Sequence, residues 1–202
     1  MPEKLDLFEA HKAEYAMPGA PALVTVGPAT YLAIDGAGDP NGPAFAEAMG
    51  ALYGMAWTIK MTKKFGEGVE YKVAPLEGLW WRASGQPIAA GMPADDWRWT
   101  ALIRTPEFIT PADLQRAVAE LERKGKAPGA ERVRLEQLEE GDCVQVLHVG
   151  PYSAETATIA AMHAFAAAQG RELRGRHHEI YLSDPRRVPP ERLRTIIRQP
   201  VA

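Results

Sequence analysis

The sequence has 202 residues, of which 46% are hydrophobic and 24% charged, and a net charge of -3, an ordinary composition for a soluble protein long enough to bury a core. This mild acidity argues against a nucleic-acid partner, which requires a clustered basic face. The single cysteine, Cys143, excludes an intrachain disulfide and a cysteine-rich metal site. The N-terminus is charged and the sequence has no long apolar run, so we predict a cytoplasmic protein without a membrane partner.

The first half of the chain predicts elements in the order strand, helix, strand, strand, helix. Residues 1–28 are charged and then rich in proline, glycine and alanine, so we expect an N-terminal arm before a domain that spans residues 29–202. Turn residues, apolar spacings of three and four, and alternation place the elements of this half at residues 30–34, 44–66, 76–81, 97–105 and 110–123.

The second half of the chain predicts a hairpin, a helix and two further strands. The turn Glu139-Glu140-Gly141 joins two strands in the predicted hairpin. The segment Gly150-Pro151-Tyr152 then leads into an alanine-rich helix with Ser153 as its N-cap. The elements of this half are placed at residues 132–138, 142–149, 153–169, 177–184 and 193–198.

The two halves repeat the same order of parts. In each half a strand, a glycine-proline turn and a long helix are followed by a strand with a central acid, which is LEGLWW around Glu77 and HHEIYL around Glu179. We therefore predict an α+β fold of tandem duplicated β-α-β-β modules, related by a pseudo-two-fold axis and located at about residues 29–108 and 131–202. Its antiparallel sheets would carry helices packed on one face and an aromatic ligand groove on the other.

The predicted strand HHEIYLSD, residues 177–184, contains the main candidate for function. Glu179 lies in mid-strand among apolar and aromatic neighbours, where a carboxylate is costly unless it is solvated, paired or used. By alternation it shares a face with His177 and Tyr181. One alternative is an acid on the solvated face of an antiparallel sheet. The abundant aromatic residues favour a binding site, because small-molecule sites are usually concave, with aromatic walls and few polar groups.

Two segments, PLEGLWW at residues 75–81 and HHEIYLSDPRR at residues 177–187, carry a resemblance to a known family. Through them the sequence resembles the GyrI-like small-molecule-binding domains, and within these a stand-alone subfamily. The resemblance implies a ligand groove across the pseudo-dyad with Glu179 at its base. It also implies planar hydrophobic or cationic ligands and, for some stand-alone members, hydrolysis of the strained cyclopropane of DNA-alkylating cyclopropanoid compounds.

Hydrolysis of a cyclopropane conjugated to a carbonyl needs a water, a base and a hydrogen-bond donor to the oxygen. Glu179 is the predicted base. Tyr152 is the predicted phenol donor or water-positioning group, and its alternative role is to cap a carbonyl of the turn. Stacking on a planar ligand, with cation–π attraction for a cationic one, is assigned to a set of aromatic residues: Tyr53, Trp57, Tyr71, Trp81, Trp97, Trp99 and Tyr181.

Two further ligand-binding candidates have structural alternatives. Glu77 matches Glu179 in the repeat but is equally explained as a structural acid that is hydrogen-bonded in the region of Tyr71. His163 is alternatively explained as an ordinary core or surface histidine. Neither a metal-ligand spacing nor a dinucleotide fingerprint occurs, so we expect no metal and no cofactor. Two functions stay open, a cyclopropanoid hydrolase and a binding-only protein, the latter for drug sequestration or as a gyrase-inhibitor-like interaction module. The oligomeric state stays open as well.

Overall fold

The computed structural model describes residues 4–85 and 96–202, and it confirms the predicted α+β class. The helices are α1 (Leu7–Ala10), α2 (Pro43–Thr62), α3 (Pro111–Arg123) and α4 (Glu155–Ala168). The strands are β1 (Ala22–Val26), β2 (Ala29–Ala37), β3 (Leu76–Arg82), β4 (Trp97–Arg104), β5 (Arg134–Leu138), β6 (Gly141–Val149), β7 (His177–Tyr181) and β8 (Arg194–Pro200).

Local sequence defines the two helices that border the candidate site. α2 begins at Pro43, whose fixed φ suits the first helical turn, and it continues into the π-helical segment Lys63–Glu67. α4 begins at Glu155 rather than at the predicted Ser153, because Tyr152–Ala154 form a 3-10 turn before it. This later start places the carboxyl group of Glu155 in the first turn of α4.

The described strands form one antiparallel sheet in the order β1-β6-β8-β7-β3-β4-β2-β5. At its centre β3 pairs with β7, and Gly78 lies opposite Glu179. Exchanging β1 with β5, β2 with β6, β3 with β7 and β4 with β8 turns this strand order into its own reverse. This is the order expected for a pseudo-two-fold axis between β3 and β7, although the duplication itself stays a prediction.

Two predictions about strand pairing are wrong. β5 and β6 do not form a hairpin, because β5 pairs with β2 while β6 pairs with β1 and β8. The strand predicted at residues 30–34 is not the first, because Ala22–Val26 in the expected arm forms β1. The hairpin prediction fails because a short turn permits two strands to pair but does not oblige them to, and here each edge strand pairs with the other half of the chain.

α2 and α4 pack on the same face of the sheet, which we call the helix face. α2 packs through Leu52 on a core that includes Trp99, and α4 packs through Met162 on a core that includes Ile197. Glu179 lies opposite Ile197 in the β7–β8 ladder, and opposed residues point to the same side. The prediction of a groove on the face without helices is therefore wrong for Glu179, which lies on the helix face between α2 and α4.

The N-terminal segment packs on the opposite face, which we call the arm face. Tyr15 is buried there in a cluster with Ile180 and Ile196. The guanidinium of Arg198 donates a hydrogen bond of 2.6 Å to the carbonyl oxygen of Glu14. The described N-terminal segment is thus packed against the sheet through Glu14 and Tyr15.

Candidate functional site

Glu179 lies at the centre of a hydrogen-bonded chain of side chains on the helix face. Its Oε2 atom accepts a hydrogen bond of 2.7 Å from the Tyr181 hydroxyl. The Tyr181 oxygen accepts a hydrogen bond of 2.9 Å from the Trp80 indole nitrogen. Because an indole N–H can only donate, the phenol proton is left for Glu179, which is therefore the acceptor at the end of the chain.

The other carboxylate oxygen of Glu179 faces a histidine. His177 Nε2 lies 3.0 Å from Glu179 Oε1. Since an ionised carboxylate can only accept, the ring nitrogen is the donor. The Glu179 side chain keeps 14% of its surface exposed, against 7% for His177. Glu179 is thus fixed through both oxygens while one side stays open to the groove.

Gly78 provides the space for this chain of side chains. A Cβ atom at Gly78 would lie 2.7 Å from Trp80 Nε1 and 3.1 Å from the Tyr181 hydroxyl, and the first of these distances is far inside van der Waals contact. The glycine of LEGLWW, directly opposite Glu179, is therefore required because the hydrogen bond between Trp80 and Tyr181 crosses over it.

Glu155, in the first turn of α4, brings a second carboxyl group to Glu179. Its side chain is 5% exposed. Burial, reinforced by the negative charge of Glu179 and a hydrogen bond to it, raises the pKa of Glu155 to about 9. Two carboxyl groups can form a hydrogen bond only through a proton, so Glu155 is the protonated donor and Glu179 the ionised acceptor at neutral pH.

Three buried polar atoms around this carboxyl pair have no hydrogen bond of good geometry, namely Glu155 Oε1, Thr195 Oγ1 and His163 Nε2. The Thr195 hydroxyl lies beside Glu155 and favours the ionised form of that carboxyl. Burial, together with the nearby His177, lowers the pKa of His163, so its ring is neutral. Buried polar atoms in proteins normally have partners, and this group of unpaired atoms therefore indicates where a water or a polar ligand binds.

Tyr152 lies in the 3-10 turn before α4 and packs edge to face on Tyr181, with ring centroids 5.8 Å apart. Its ring is 40% exposed. Partial burial and the charges of Glu155 and Glu179 raise the pKa of the Tyr152 hydroxyl to about 12. Tyr152 therefore keeps its proton at neutral pH and can donate it in a hydrogen bond to a bound molecule.

Exposed aromatic residues of α2 lie across from this cluster. Tyr53 and Trp57 are one turn apart, and 37% and 50% of their surfaces are exposed. Tyr53 lies near Asp184 and Arg186, just after β7, so this side of α2 faces β7. The Lys60 ammonium lies 4.5 Å from the ring centroid of Trp57. The rim of the groove thus offers aromatic surface to a ligand.

Trp97 and Trp99 share the helix face, as alternation predicts, but they belong to its core. Trp97 packs edge to face on Trp80, with centroids 5.6 Å apart. Trp99 is fully buried and packs edge to face on Phe45 at 4.9 Å. Trp97 is therefore linked to the Glu179 chain through Trp80, whereas Trp99 supports the core beneath α2.

Three predicted ligand-binding residues lie away from Glu179. Trp81 points to the arm face, where the Arg176 guanidinium stacks 3.7 Å from its ring centroid. Tyr71 is buried and packs edge to face on Phe108. Trp81 and Tyr71 are therefore separated from the groove, by the sheet and by the core respectively.

Glu77 is the third of these residues, and its predicted equivalence with Glu179 is wrong. Glu77 lies opposite Ile180 in the β3–β7 ladder, so the two acids point to opposite faces of the sheet. Glu77 is fully buried and accepts a hydrogen bond of 2.8 Å from the Tyr15 hydroxyl. The structural alternative is thus correct in kind, but the partner is Tyr15 and not the region of Tyr71.

Three residues of this cluster, Glu155, His177 and Trp80, were not predicted from the sequence. Glu155 is the only acid in α4, but an acid in a first turn is already explained by the helix dipole. His177 shares a face with Glu179 by alternation, and this pattern could have identified His177 as a neighbour of Glu179. Trp80 and Trp81 point to opposite faces, and the choice between them depends on register, which a sequence does not fix.

The fold and the site together define a small-molecule-binding domain: two helices on one face of an antiparallel sheet border a groove with aromatic rings and a buried carboxyl pair. Residues 20–202 match the model of the family described as the GyrI-like small molecule binding domain. The chain belongs to this family, as its resemblance in sequence predicts.

Solved structures agree with this assignment. The chain is 38% identical to an uncharacterized conserved protein from Listeria innocua, with a TM-score of 0.90 and coverage of 98% of this chain and 100% of that chain. A hydrolase from Listeria innocua is 37% identical, with a TM-score of 0.86 and the same coverage. The EcmrR C-terminal domain, 10% identical with a TM-score of 0.58 over 90% of this chain and 96% of that one, shares the fold alone. No curated protein matches the sequence.

The described residues contain neither a metal-binding cluster nor a membrane-spanning helix. Within residues 4–85 and 96–202, histidine, cysteine, aspartate and glutamate side chains form no group of three or more that could hold a metal ion. None of the helices in this described part of the chain has the length and apolar character needed to cross a membrane.

Proposed function

We propose that the protein binds planar hydrophobic or cationic small molecules between α2 and α4, with Glu179 at the base of the groove, and that it hydrolyses cyclopropanoid genotoxins there and so protects the cell. The observation that carries this proposal is the pair of carboxyl groups on the helix face: the buried Glu155, whose pKa is raised to about 9, and Glu179, which accepts a hydrogen bond from Tyr181. Perturbed, closely paired titratable groups in a cleft are typical of functional sites.

In the proposed reaction a water oxygen forms a bond to the methylene carbon of the cyclopropane while Glu179 accepts one proton of that water. The ring C–C bond breaks, and its electron pair moves through the conjugated system to the carbonyl oxygen. Tyr152 donates a hydrogen bond to that oxygen as its negative charge develops. The oxygen then takes up a proton to become a phenol, Glu179 returns its proton to solvent, and the net change is the addition of water.

The similarity to a hydrolase from Listeria innocua at 37% identity over nearly the whole chain supports an enzyme. A second function, binding without turnover for drug sequestration, is favoured by a different observation. The exposed rings of Tyr53 and Trp57 on the groove rim, together with an ionised Glu179, attract a flat cation without any chemistry, through cation–π contact and charge.

The test incubates the purified protein with a cyclopropanoid and follows the chromophore as the conjugated carbonyl is converted into a phenol. We expect turnover by the wild type and a loss of about 10²- to 10⁴-fold in Glu179→Gln, the range for removal of a general base. Glu136→Gln is the matched control, because Glu136 pairs with Arg134 away from the groove. Stoichiometric binding without product would leave only the sequestration function. If flat cationic dyes failed to quench tryptophan fluorescence as well, both functions would be contradicted.

A further inference from the structure

Within the part of the chain that the structure describes, the carboxyl pair of Glu155 and Glu179 has one basic neighbour at ion-pair distance, His177, whose Nε2 lies 3.0 Å from Glu179 Oε1. In the described residues, the groups that face the pair are His177 and Tyr181 from β7, Thr195 from β8, His163 from α4 and Tyr152 from the turn before it. The loop after β7 contributes Asp184, whose charge also acts on Tyr152 and on Tyr53 of α2. Arg186, in the same loop, is paired with Asp184.

We propose that the pair exchanges its shared proton for a cationic ligand. A neutral ligand binds to the pair with the proton retained, whereas a ligand of charge +1 binds with release of one proton to solvent. Charge balances in the second case. The net charge of the carboxyl pair changes from -1 to -2 when the proton leaves, and the ligand's charge of +1 replaces the charge that the proton carries to solvent. This inference rests on the proposed binding function and adds a rule for the charge of the ligand.

The geometry supports this exchange at both ends. Without a ligand, ionisation of the buried Glu155 beside the charge of Glu179 is unfavourable, and this raises the pKa of Glu155 to about 9. A cation in the groove reverses that balance, because a nearby opposite charge favours the ionised form. Glu155 Oε1, which has no hydrogen-bond partner, is the atom that gains a counter-charge.

The neighbouring phenols do not supply the proton. Partial burial and the two carboxyl groups raise the pKa of Tyr152 to about 12, and burial and the charge of Glu179 raise the pKa of Tyr181 well above its ordinary value. His177 is the remaining alternative, because its ring donates to Glu179. A His177→Gln variant separates the two sources, since an amide keeps a donor but does not titrate in this range.

A dependence of affinity on pH follows from the exchange. Where binding releases one proton, the association constant rises about tenfold for each pH unit, up to the pKa of the free pair. We therefore expect tighter binding of a cation with rising pH across the neutral range. The affinity for a neutral ligand of the same shape stays flat over that range.

The experiment compares 5-methylphenanthridinium, a planar cation of fixed charge, with neutral phenanthridine by isothermal titration calorimetry near neutral pH. Each titration is repeated in phosphate and in Tris, because the difference in buffer ionisation enthalpy measures the number of protons released. We expect about one proton for the cation and none for phenanthridine. This comparison uses the wild-type protein only, so it does not depend on the folding of a variant.

Two variants complete the experiment. Glu155→Gln, which mimics the protonated acid, should bind the cation without proton release and with an affinity independent of pH, whereas His177→Gln should still release one proton. Cation binding without proton release by the wild type, or release that persists in Glu155→Gln, would overturn the exchange and leave the proposed binding function intact. If neither compound bound, the binding function would fail and the exchange with it.

Discussion

The two faces of the central strand pair hold buried carboxyl groups in opposite surroundings. On the arm face, His178 lies 3.0 Å from Glu140 and at an ion-pair distance of 2.9 Å from Glu77. Arg198 donates a hydrogen bond of 2.7 Å to Glu140. Burial opposes every one of these charges, but the partners prevail: they lower the pKa of Glu140 to about 2 and raise that of His178 to about 9. Two cations thus balance two carboxylates.

On the helix face, one residue further along β7, Glu179 meets the carboxyl group of Glu155 and the ring of His177. Among the described residues, no lysine or arginine forms an ion pair with either carboxyl group. Burial therefore prevails there, and Glu155 keeps a proton at neutral pH. Burial alone therefore does not decide whether a carboxyl group is ionised. The partners decide it: on the arm face His178 and Arg198 balance two carboxylates, whereas on the helix face the two carboxyl groups have His177 as their one basic neighbour at ion-pair distance among the described residues.

The largest expected effect comes from unbalancing the arm face. Arg198→Leu removes the guanidinium that bonds to Glu140, Gln145 and the Glu14 carbonyl and leaves a buried carboxylate short of a partner. We expect it to lower the free energy of unfolding by about 3–5 kcal/mol, as is usual when one member of a buried ion pair is removed. Urea denaturation followed by tryptophan fluorescence measures this, and the exposed Arg186→Leu, expected to change stability by less than about 0.5 kcal/mol, is the control.

The second effect is a pH dependence of stability that differs between the two faces. The pKa of Glu155 is raised from 4.5 to about 9, so between these values the folded state holds a proton that the unfolded state has lost, and stability falls as pH rises. The pKa of His178 is raised from 6.5 to about 9, so its stabilising contribution is complete below pH 6.5 and is lost as pH rises through 9.

The two groups therefore separate by pH window. Between pH 4.5 and 6.5, Glu155 changes the free energy of unfolding with pH, whereas His178 does not. The slope of this change is up to about 1.4 kcal/mol per pH unit for one proton. In Glu155→Gln the fall in stability that Glu155 causes in this lower window should disappear, while the decline above pH 6.5 that is due to His178 should persist. Urea midpoints measured at closely spaced pH values test this, and an unchanged slope in the lower window would show that Glu155 is ionised in the folded protein.

The helix face was the more predictable of the two. The mid-strand acid and its alternation with His177 and Tyr181 pointed to Glu179 from local sequence alone. The arm face depends on contacts between residues far apart in the chain, such as Tyr15 with Glu77 and Arg198 with Glu14. No local pattern records such contacts. For the same reason the pairing of β1 with β6 was missed, while α2, α3, α4 and most strands were placed correctly and α1 was not predicted.

Which residues face the groove was the hardest part to predict. Trp80 and Trp81 are adjacent, so a shift of one residue in register exchanges their roles, and the sequence analysis chose Trp81. Glu155 was overlooked because its position is satisfied by an ordinary helix-start explanation. Its role follows only from where α4 packs relative to β7, which is a property of the tertiary structure.

A third and smaller effect concerns the contact between the N-terminal segment and the arm face. Tyr15→Phe removes the hydroxyl that donates to Glu77 Oε1 at 2.8 Å and leaves that buried oxygen without a donor. We expect a loss of about 1–3 kcal/mol in the free energy of unfolding, the cost of leaving a buried polar group unsatisfied. The proposed hydrolysis at Glu179 should be unchanged, because Tyr15 lies on the other face, and a change in turnover at equal stability would mean that the faces are coupled.

The smallest expected effect tests the chain that fixes Glu179. Trp80→Phe keeps an aromatic ring beside Trp97 but removes the N–H that donates to Tyr181 at 2.9 Å, and we expect a cost of about 0.5–1.5 kcal/mol in stability, as for one hydrogen bond. The phenol oxygen of Tyr181 then lacks its donor, so its bond to Glu179 is less fixed and turnover should fall more than stability does. Trp97→Phe is the matched control, because Trp97 Nε1 has no hydrogen-bond partner, so it removes ring area without breaking the chain. Equal losses of turnover in the two variants at saturating substrate would show that these rings act only by packing, whereas a larger loss in Trp80→Phe assigns the difference to the indole proton.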